Sequence, residues 1–388
     1  MRILVLDTYY PDFVSEVYSS RTDLQARSYA EQHKILIDRC FGTSDAYSSN
    51  LRALGYEADE IIVDCAPLQE MWAEENLEGM RKQGRIGLPG RIGGARATLA
   101  RLRRIALAQI EAYEPSVLYC QNLDFLTRAQ LDSLRRRGIF VVGQIASPAP
   151  SDRQLRGFDL ILSSFPHFVR RFREMGIDSQ EFGLAFDSRI IGRLRDEGIS
   201  SDPGASRDHS VVFVGGVNPR VHAAGTELLE RLCRLFPVSV WGYGVDELPP
   251  SSAIRRCHHG EAWGLDMYKV LANAKVALNR HIDVADGFAN NMRMYEATGM
   301  GAALVTNSAP NLNQLFEVGT EVVAYDDEVS LVSSIESLLE DETRRVTIAA
   351  AGQRRTLSDH DFADRMRELV SILNERLNPS GRLEPRGA

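Results

Sequence analysis

The chain is short of the residues and patterns that announce most specialised chemistries. It has five cysteines among 388 residues: Cys40, Cys65, Cys120, Cys233 and Cys257. They form no C-x-x-C pair and no metal-ligand spacing, and several lie in apolar runs, which reads as reduced thiols in a cytosolic protein. No apolar run approaches the ~20 residues that a membrane helix needs. The first residues, MRILVLD, already read as a strand, without the basic stretch of a signal peptide. Neither sign of charge prevails: 45 Lys and Arg against 53 Asp and Glu leave a net charge of −8, with no general pull towards nucleic acid or an anionic membrane. No G-x-G-x-x-G follows the first strand, so the dinucleotide fingerprint is missing. Walker A and G-x-S-x-G sequences are absent too, which weakens NTPase and hydrolase readings. With no H-E-x-x-H and no cluster of His and Cys, no metal and no cofactor are implied.

What the chain does have is an alternation of apolar strands and amphipathic helices, the pattern of doubly wound parallel sheets. Strands are expected at 2–7, 58–64, 116–122, 139–147, 160–165 and 179–187. Helices are expected at 24–40 and 46–54, in a stretch ending near 135–138, and at 167–175. The polar, turn-rich run 201–210 reads as a linker. A second series follows, with strands at 210–217, 237–244, 274–281, 302–308 and 321–327. Helices at 222–235, 265–273, 291–298, 329–340, 343–357 and 361–377 complete it. At 388 residues two domains are the natural division: 1–200 and 208–360, with 361–377 packing back on the first and the tail 378–388 disordered. Arg81, Lys82, Arg85, Arg91, Arg96, Arg101, Arg103 and Arg104 cluster around a glycine-rich run, with no interleaved aromatics to stack bases. That excursion reads as a lid or a contact for an anionic acceptor.

The stretch 287–301, GFANNMRMYEATGMG, organises the second half. A helix beginning after Asn290 and Asn291 would offer free backbone N–H groups to an anion. Arg293 and Glu296, three apart, share a face of it. A pyrophosphate at the helix start, with a ribose beside Glu296, is what a sugar nucleotide requires. An ordinary αβ unit capped by asparagine is the structural alternative.

Ligands of open parallel sheets sit at the carboxyl ends of strands. In the second domain that rule selects Gly215 and Gly216 for close phosphate approach, with Arg220 to neutralise charge. Trp241 and Tyr243 are candidates to stack on a base, and Asn279, Arg280 and His281 follow an apolar strand. In the first domain it selects Asp7, Tyr9, Gln121, Asn122 and Gln144, hydrogen-bonding groups suited to a polyhydroxylated acceptor.

Three segments carry a family likeness: DGFANNMRMYEATGMGAALVTN, then FEVGTEVVAYDDEVSLVSSIESLL, then AGQRR with a later His and Arg. With FVGGV, VSVWGYG and HGEAWGLDMYKVLANAKVALNRH, they resemble the C-terminal half of CgeB-like glycosyltransferases. YAEQ and FGTSDAYSSNL look like the first domain of the same family. The resemblance implies the GT-B fold, two Rossmann-like doubly wound parallel-sheet domains facing a central cleft. It also implies transfer of a sugar from a UDP- or dTDP-linked donor to a hydroxyl acceptor, with retention. Glu296 matches the Glu that takes the ribose hydroxyls, and Asn291 and Arg293 match positions near the diphosphate. The broader group often has an earlier acid eight residues before that Glu. Here Phe288 stands at that place, and Asp286, ten before, is the candidate replacement. The expected roles are therefore catalytic for Asp286, Arg280 and His281. Gly215, Gly216, Arg220, Trp241, Tyr243, Asn279, Asn290, Asn291, Arg293 and Glu296 would bind the donor. Two other classes fit the same features: a non-catalytic two-lobed sugar- or nucleotide-binding protein, and a nucleotide-sugar epimerase or phosphorylase.

Overall fold

The apolar runs become strands buried on both faces, as parallel sheets covered by helices require. The computed structural model describes residues 1–77, 94–281 and 283–377. Most of the basic, glycine-rich excursion and the tail 378–388 lie outside the described residues. Among those described, two all-parallel sheets form. The first contains β1 (Arg2–Asp7), β2 (Glu57–Ile62), β3 (Val117–Cys120), β4 (Phe140–Ile145), β5 (Leu160–Ser163) and β6 (Ser179–Glu181), in the order β2-β1-β3-β4-β5-β6. The second contains β7 (His209–Val214), β8 (Val238–Trp241), β9 (Ala274–Asn279), β10 (Ala303–Asn307) and β11 (Val323–Tyr325), in the order β11-β10-β9-β7-β8.

Local chemistry sets several boundaries away from the sequence expectation. The helix expected over 24–40 divides. Leu24–Ala26 is a single 3-10 turn, and the α-helix Tyr29–Asp38 starts at a capping box. Ser28 Oγ accepts from Glu31 N–H, and Ser28 N–H donates back to the Glu31 carboxylate at 3.1 Å. Helix Pro11–Ser20, not among the expected helices, begins on proline, where a missing N–H costs nothing. The sixth strand stops at Glu181 rather than 187.

The chain crosses between lobes at Phe186. Its N–H donates to the His360 carbonyl at 2.7 Å, and its carbonyl accepts from Phe362 N–H at 3.0 Å, so the outward and return crossings are tied together. The next helix, Arg189–Asp196, buries Ile190 and Leu194 in the core of the second lobe. By packing, the second lobe therefore begins just after this crossing, before the expected linker. Nor is 201–208 a loose tether. Buried Arg207 donates to the carbonyls of Leu271, Ala272, Ala274, Asp202 and Met300 at 2.7–3.3 Å. Several of those carbonyls end helices, where a cation is favoured. Helix Phe362–Leu377 returns to the first lobe and packs Met366, Leu369 and Leu373 into the cluster that holds Ile3, Val5 and Val142.

Of the basic run's described members, Arg101 is committed to a buried ion pair with Glu70. Arg103 donates to the backbone carbonyls of Phe125 and Asp124. Arg101 fastens two helices together and Arg103 fastens its helix to the loop after β3, so neither forms a free basic patch.

Candidate active site

Each sheet has one place where successive connections leave in opposite directions: between β1 and β3 in the first lobe, between β7 and β9 in the second. Crevices open at the carboxyl ends of such strands. The two crevices face each other and form one cleft of about 810 Å³. Asp7 and Thr8 after β1, and Gln121 after β3, line it from the first lobe. Gly215 and Gly216 after β7, and Asn279, Arg280 and His281 around the end of β9, line it from the second.

The second-lobe wall is built around helix Met292–Gly299. Asn291 caps it, its Oδ1 accepting from Met294 N–H at 3.3 Å while its Nδ2 donates to Asn279 Oδ1 at 2.8 Å and to the Arg280 carbonyl at 3.0 Å. One asparagine thus fixes both the helix start and the end of β9. Asn279 Nδ2 in turn donates to Thr306 Oγ1 at 2.9 Å. One turn into the helix, Glu296 pairs with Arg293 at 2.7 Å, and Tyr268 Oη lies 3.5 Å from its other oxygen. Arg293 also donates to the Val214 carbonyl at 3.2 Å, just before the Gly215–Gly216 turn. A carboxylate, a guanidinium and a helix N-terminus are thereby held together at one rim.

His281 lines the cleft, but its ring is engaged within the lobe. Nδ1 accepts from Asn290 N–H at 3.4 Å, so the neutral ring carries its proton on Nε2, 3.3 Å from Thr306 Oγ1. Burial lowers its pKa to about 4, which keeps the ring neutral. Its own N–H donates to Asn307 Oδ1 at 3.0 Å.

In the first lobe, Asp7 Oδ1 accepts from Thr8 N–H at 2.7 Å, and Thr43 Oγ1 lies 3.4 Å from Oδ2. Thr43 also exchanges hydrogen bonds with Gln121, its hydroxyl accepting from Nε2 at 2.9 Å. Burial raises the Asp7 carboxyl to about 7, offset in part by the Thr8 hydrogen bond, with Asp64 adding repulsion. Burial raises Asp64 to about 6. A buried carboxyl with a pKa near neutrality, a hydroxyl and an amide together suit recognition of hydroxyl groups.

An aromatic cluster joins the lobes at one side of the cleft. Tyr243 stacks on Trp263 with centroids 5.9 Å apart and an interplanar angle of 12°. Tyr10 meets Trp263 edge-on at 5.7 Å and Tyr243 at 6.4 Å. Tyr10 comes from the first lobe, and Tyr243 and Trp263 from the second.

The structure therefore brings Asp7, Gln121, Gly215, Gly216, Tyr243, Asn279, Arg280, His281, Asn291, Arg293 and Glu296 to one cavity. The remaining candidates do not line it. Asp286 is exposed, in a left-handed conformation with φ 51°. Arg220 is an exposed partner of Glu247 at 2.9 Å. Trp241 is half-buried and stacks on the exposed His259, rings 4.7 Å apart. Asn290 is buried and donates to Ser164 Oγ at 2.7 Å, an inter-lobe hydrogen bond. Tyr9 is a core residue against Phe13 and Phe41. Gln144 accepts both the Tyr47 and Tyr119 hydroxyls at 2.6 Å, and Asn122 caps the turn at Asp124 N–H. Except at exposed Asp286, a neighbour within the protein pairs with the side chain or packs on it, which strand-end position cannot foresee. One Asp-x-Asp, Asp359-His360-Asp361, lies at the lobe crossing, where Asp361 accepts from Ala363 N–H at 2.7 Å and lies 3.3 Å from Ser188 N–H.

The sequence reading missed Thr8, Thr43, His222, Gly225 and Trp263 as lining residues. Thr43 had a signal, since Gly42-Thr43-Ser44 breaks a helical pattern beside the first strand. The others come from neighbouring turns and helices with no distinguishing pattern.

Residues 221–371, most of the second lobe, match the family model described as "Glycosyl transferase-like". No curated protein sequence matches the chain. Among solved structures the chain is similar to sucrose-phosphate synthase from Thermosynechococcus elongatus, with TM-score 0.60 and 12% identity, covering 98% of this chain and 100% of that one. It is also similar to HepE of Anabaena in complex with UDP-glucose, with TM-score 0.57 and 15% identity, covering 97% and 100%. A third similar structure is a putative UDP-N-acetylglucosamine 2-epimerase from Listeria monocytogenes, with TM-score 0.52 and 11% identity, covering 100% and 99%. At these identities the likeness is one of fold: the two parallel-sheet lobes are the GT-B architecture. Among the described residues no helix is long and apolar enough to cross a membrane.

Proposed function

We propose that this protein is a cytoplasmic glycosyltransferase that moves a sugar from a nucleoside diphosphate, UDP or dTDP, to a hydroxyl-bearing acceptor. The observation that carries this reading is the convergence of Arg280, Arg293 and the start of helix Met292–Gly299 on one side of the cleft, opposite Asp7, Thr43 and Gln121. The first group suits a diphosphate, with Glu296 one turn inside to take vicinal ribose hydroxyls. The second suits the hydroxyls of an acceptor. The family-model match over the second lobe and the CgeB-like sequence likeness support the same assignment.

The main catalytic demand is charge building on the departing diphosphate, and preorganised cations and N–H groups meet it without reorganising. Those groups supply countercharge from the protein itself, so the reaction is proposed to need no metal. With retention, the donor C1–O bond breaks as the acceptor oxygen bonds C1 on the same face. The acceptor proton passes to the departing phosphate oxygen, which leaves His281 free to position the loop before the helix.

Incubating the protein with UDP-glucose or dTDP-glucose and a panel of hydroxyl acceptors, and following nucleotide release and product anomers by NMR, tests the reading. Nucleotide binding without release or transfer would instead mark a binding protein. Conversion of the donor sugar with no acceptor would mark an epimerase.

A further inference from the structure

Gly225 stands in helix Pro219–Leu235, three residues past a kink at His222 (φ −127°, ψ 38°), where helical backbone still disfavours glycine. Its φ is not in the left-handed region, so the backbone does not call for glycine. The space beside it does. A Cβ at 225 would lie 2.1 Å from Arg280 Nη1 and 3.2 Å from both Cδ and Cζ of the same side chain. The Arg280 side chain therefore lies across the helix at the one residue that has no side chain to obstruct it, and both residues line the cleft. At its other end Arg280 is held through its carbonyl, which accepts from the Asn291 cap at 3.0 Å. Its backbone is anchored to one helix start and its guanidinium rests on another helix.

Resting on the nucleotide-sugar reading above, we propose that Gly225 is the positioning residue for the donor diphosphate, because the vacant Cβ position is the seat that aims the Arg280 guanidinium into the cleft. Gly225 acts only through Arg280. A methyl group at 225 takes the place of Nη1 and must turn the guanidinium out of its seat, because the helix backbone on one side and the anchored end of β9 on the other leave the long side chain as the part that can move. Nucleoside recognition is left intact, since the groups that take ribose and base are on other elements.

The test is a double-mutant cycle on the full chain with Gly225→Ala, Arg280→Ala and the double variant, read by calorimetry with UDP and with uridine and by thermal melting. Gly225→Ala is expected to weaken UDP binding by about tenfold or more while leaving uridine binding unchanged. In the Arg280→Ala background the same substitution is expected to cost nothing further. The double variant should melt at or above Arg280→Ala, because alanine is then free to act as the better helix former. Should Gly225→Ala alone fail to fold, a folded double variant would still identify Arg280 as the occupant of the seat. Wild-type UDP affinity in Gly225→Ala, an equal loss with and without Arg280, or a double variant that also fails to fold would each overturn the proposal. Absence of UDP and dTDP binding by the wild type would instead overturn the nucleotide-sugar reading on which it rests.

Discussion

Glu296 and Arg293, three residues apart on helix Met292–Gly299, meet at 2.7 Å and form part of the cleft wall with almost no exposure of the carboxylate. The pair has two uses that different measurements separate. As a structural pair it fixes the guanidinium beside the Val214 carbonyl; as a binding pair it presents a carboxylate to hydroxyls. Charge-assisted hydrogen bonds to two hydroxyls contribute roughly 1.5–3 kcal/mol. Glu296→Gln is therefore expected to weaken UDP binding by roughly 10- to 150-fold in calorimetry. Unchanged UDP affinity with a lowered melting temperature would reduce Glu296 to the structural role.

The first lobe carries a pH signature. Asp7 rises from its ordinary 3.8 to about 7 on burial, so the folded state holds a proton that the unfolded chain has already released. The stability linked to Asp7 is fully present below about pH 4 and is lost as the pH climbs through 7. His281 slopes the other way. Its pKa falls from 6.5 to about 4, so its contribution is present above 6.5 and is lost as the pH falls towards 4. Asp7→Asn is expected to raise the melting temperature at pH 8 relative to wild type and to leave it little changed at pH 4.5. A wild-type-like profile from pH 4.5 to 8 would contradict the burial of that carboxyl.

At Gly264 the two lobes come into close backbone contact. Its φ is +52°, and a Cβ there would lie 1.9 Å from the Arg39 carbonyl of the first lobe, which accepts from Leu265 N–H at 2.8 Å. Arg39 also pairs with Asp266 at 2.8 Å. Gly264→Ala is expected to push the lobes apart, increasing the radius of gyration in small-angle scattering while UDP binding by the second lobe persists. An unchanged scattering profile would show that the contact yields without opening the cleft.

Arg207 should be among the most sensitive positions outside the cleft. Removing it takes a donor away from five backbone carbonyls, and the side chain is buried, which lowers the guanidinium's pKa to about 10. Losing a buried network of this kind costs about 3 kcal/mol or more. Arg207→Ala is expected to lower stability by that amount and to expose 201–208 to proteolysis. Wild-type resistance to protease would mean that the segment is held by other contacts.

The sequence by itself determined the two strand series, the division into two lobes, and the helix start after Asn290 and Asn291 with Arg293 and Glu296 on one face. All of these rest on local rules: apolar runs, side-chain capping and the period of a helix. It also carried a signal it was not credited with, the Ser28-x-x-Glu31 capping box that divides the expected helix over 24–40. What only the tertiary structure decided is which strand-end residues face the cavity. Trp241 and Tyr243 are two residues apart, yet one packs on His259 and the other turns to meet Trp263 across a gap in sequence. Gln144 lies near the end of β4 and Gln121 follows β3, but two tyrosine hydroxyls occupy the first while Thr43 draws the second to the cleft. Gly225 and Arg280, 55 positions apart, become neighbours only because β7 and β9 pair and the helix after β7 folds over their ends. Side-chain direction and burial depend on contacts between segments distant in the chain, so no local pattern encodes them. For that reason the elements could be read from the sequence, while the composition of the cleft wall could not.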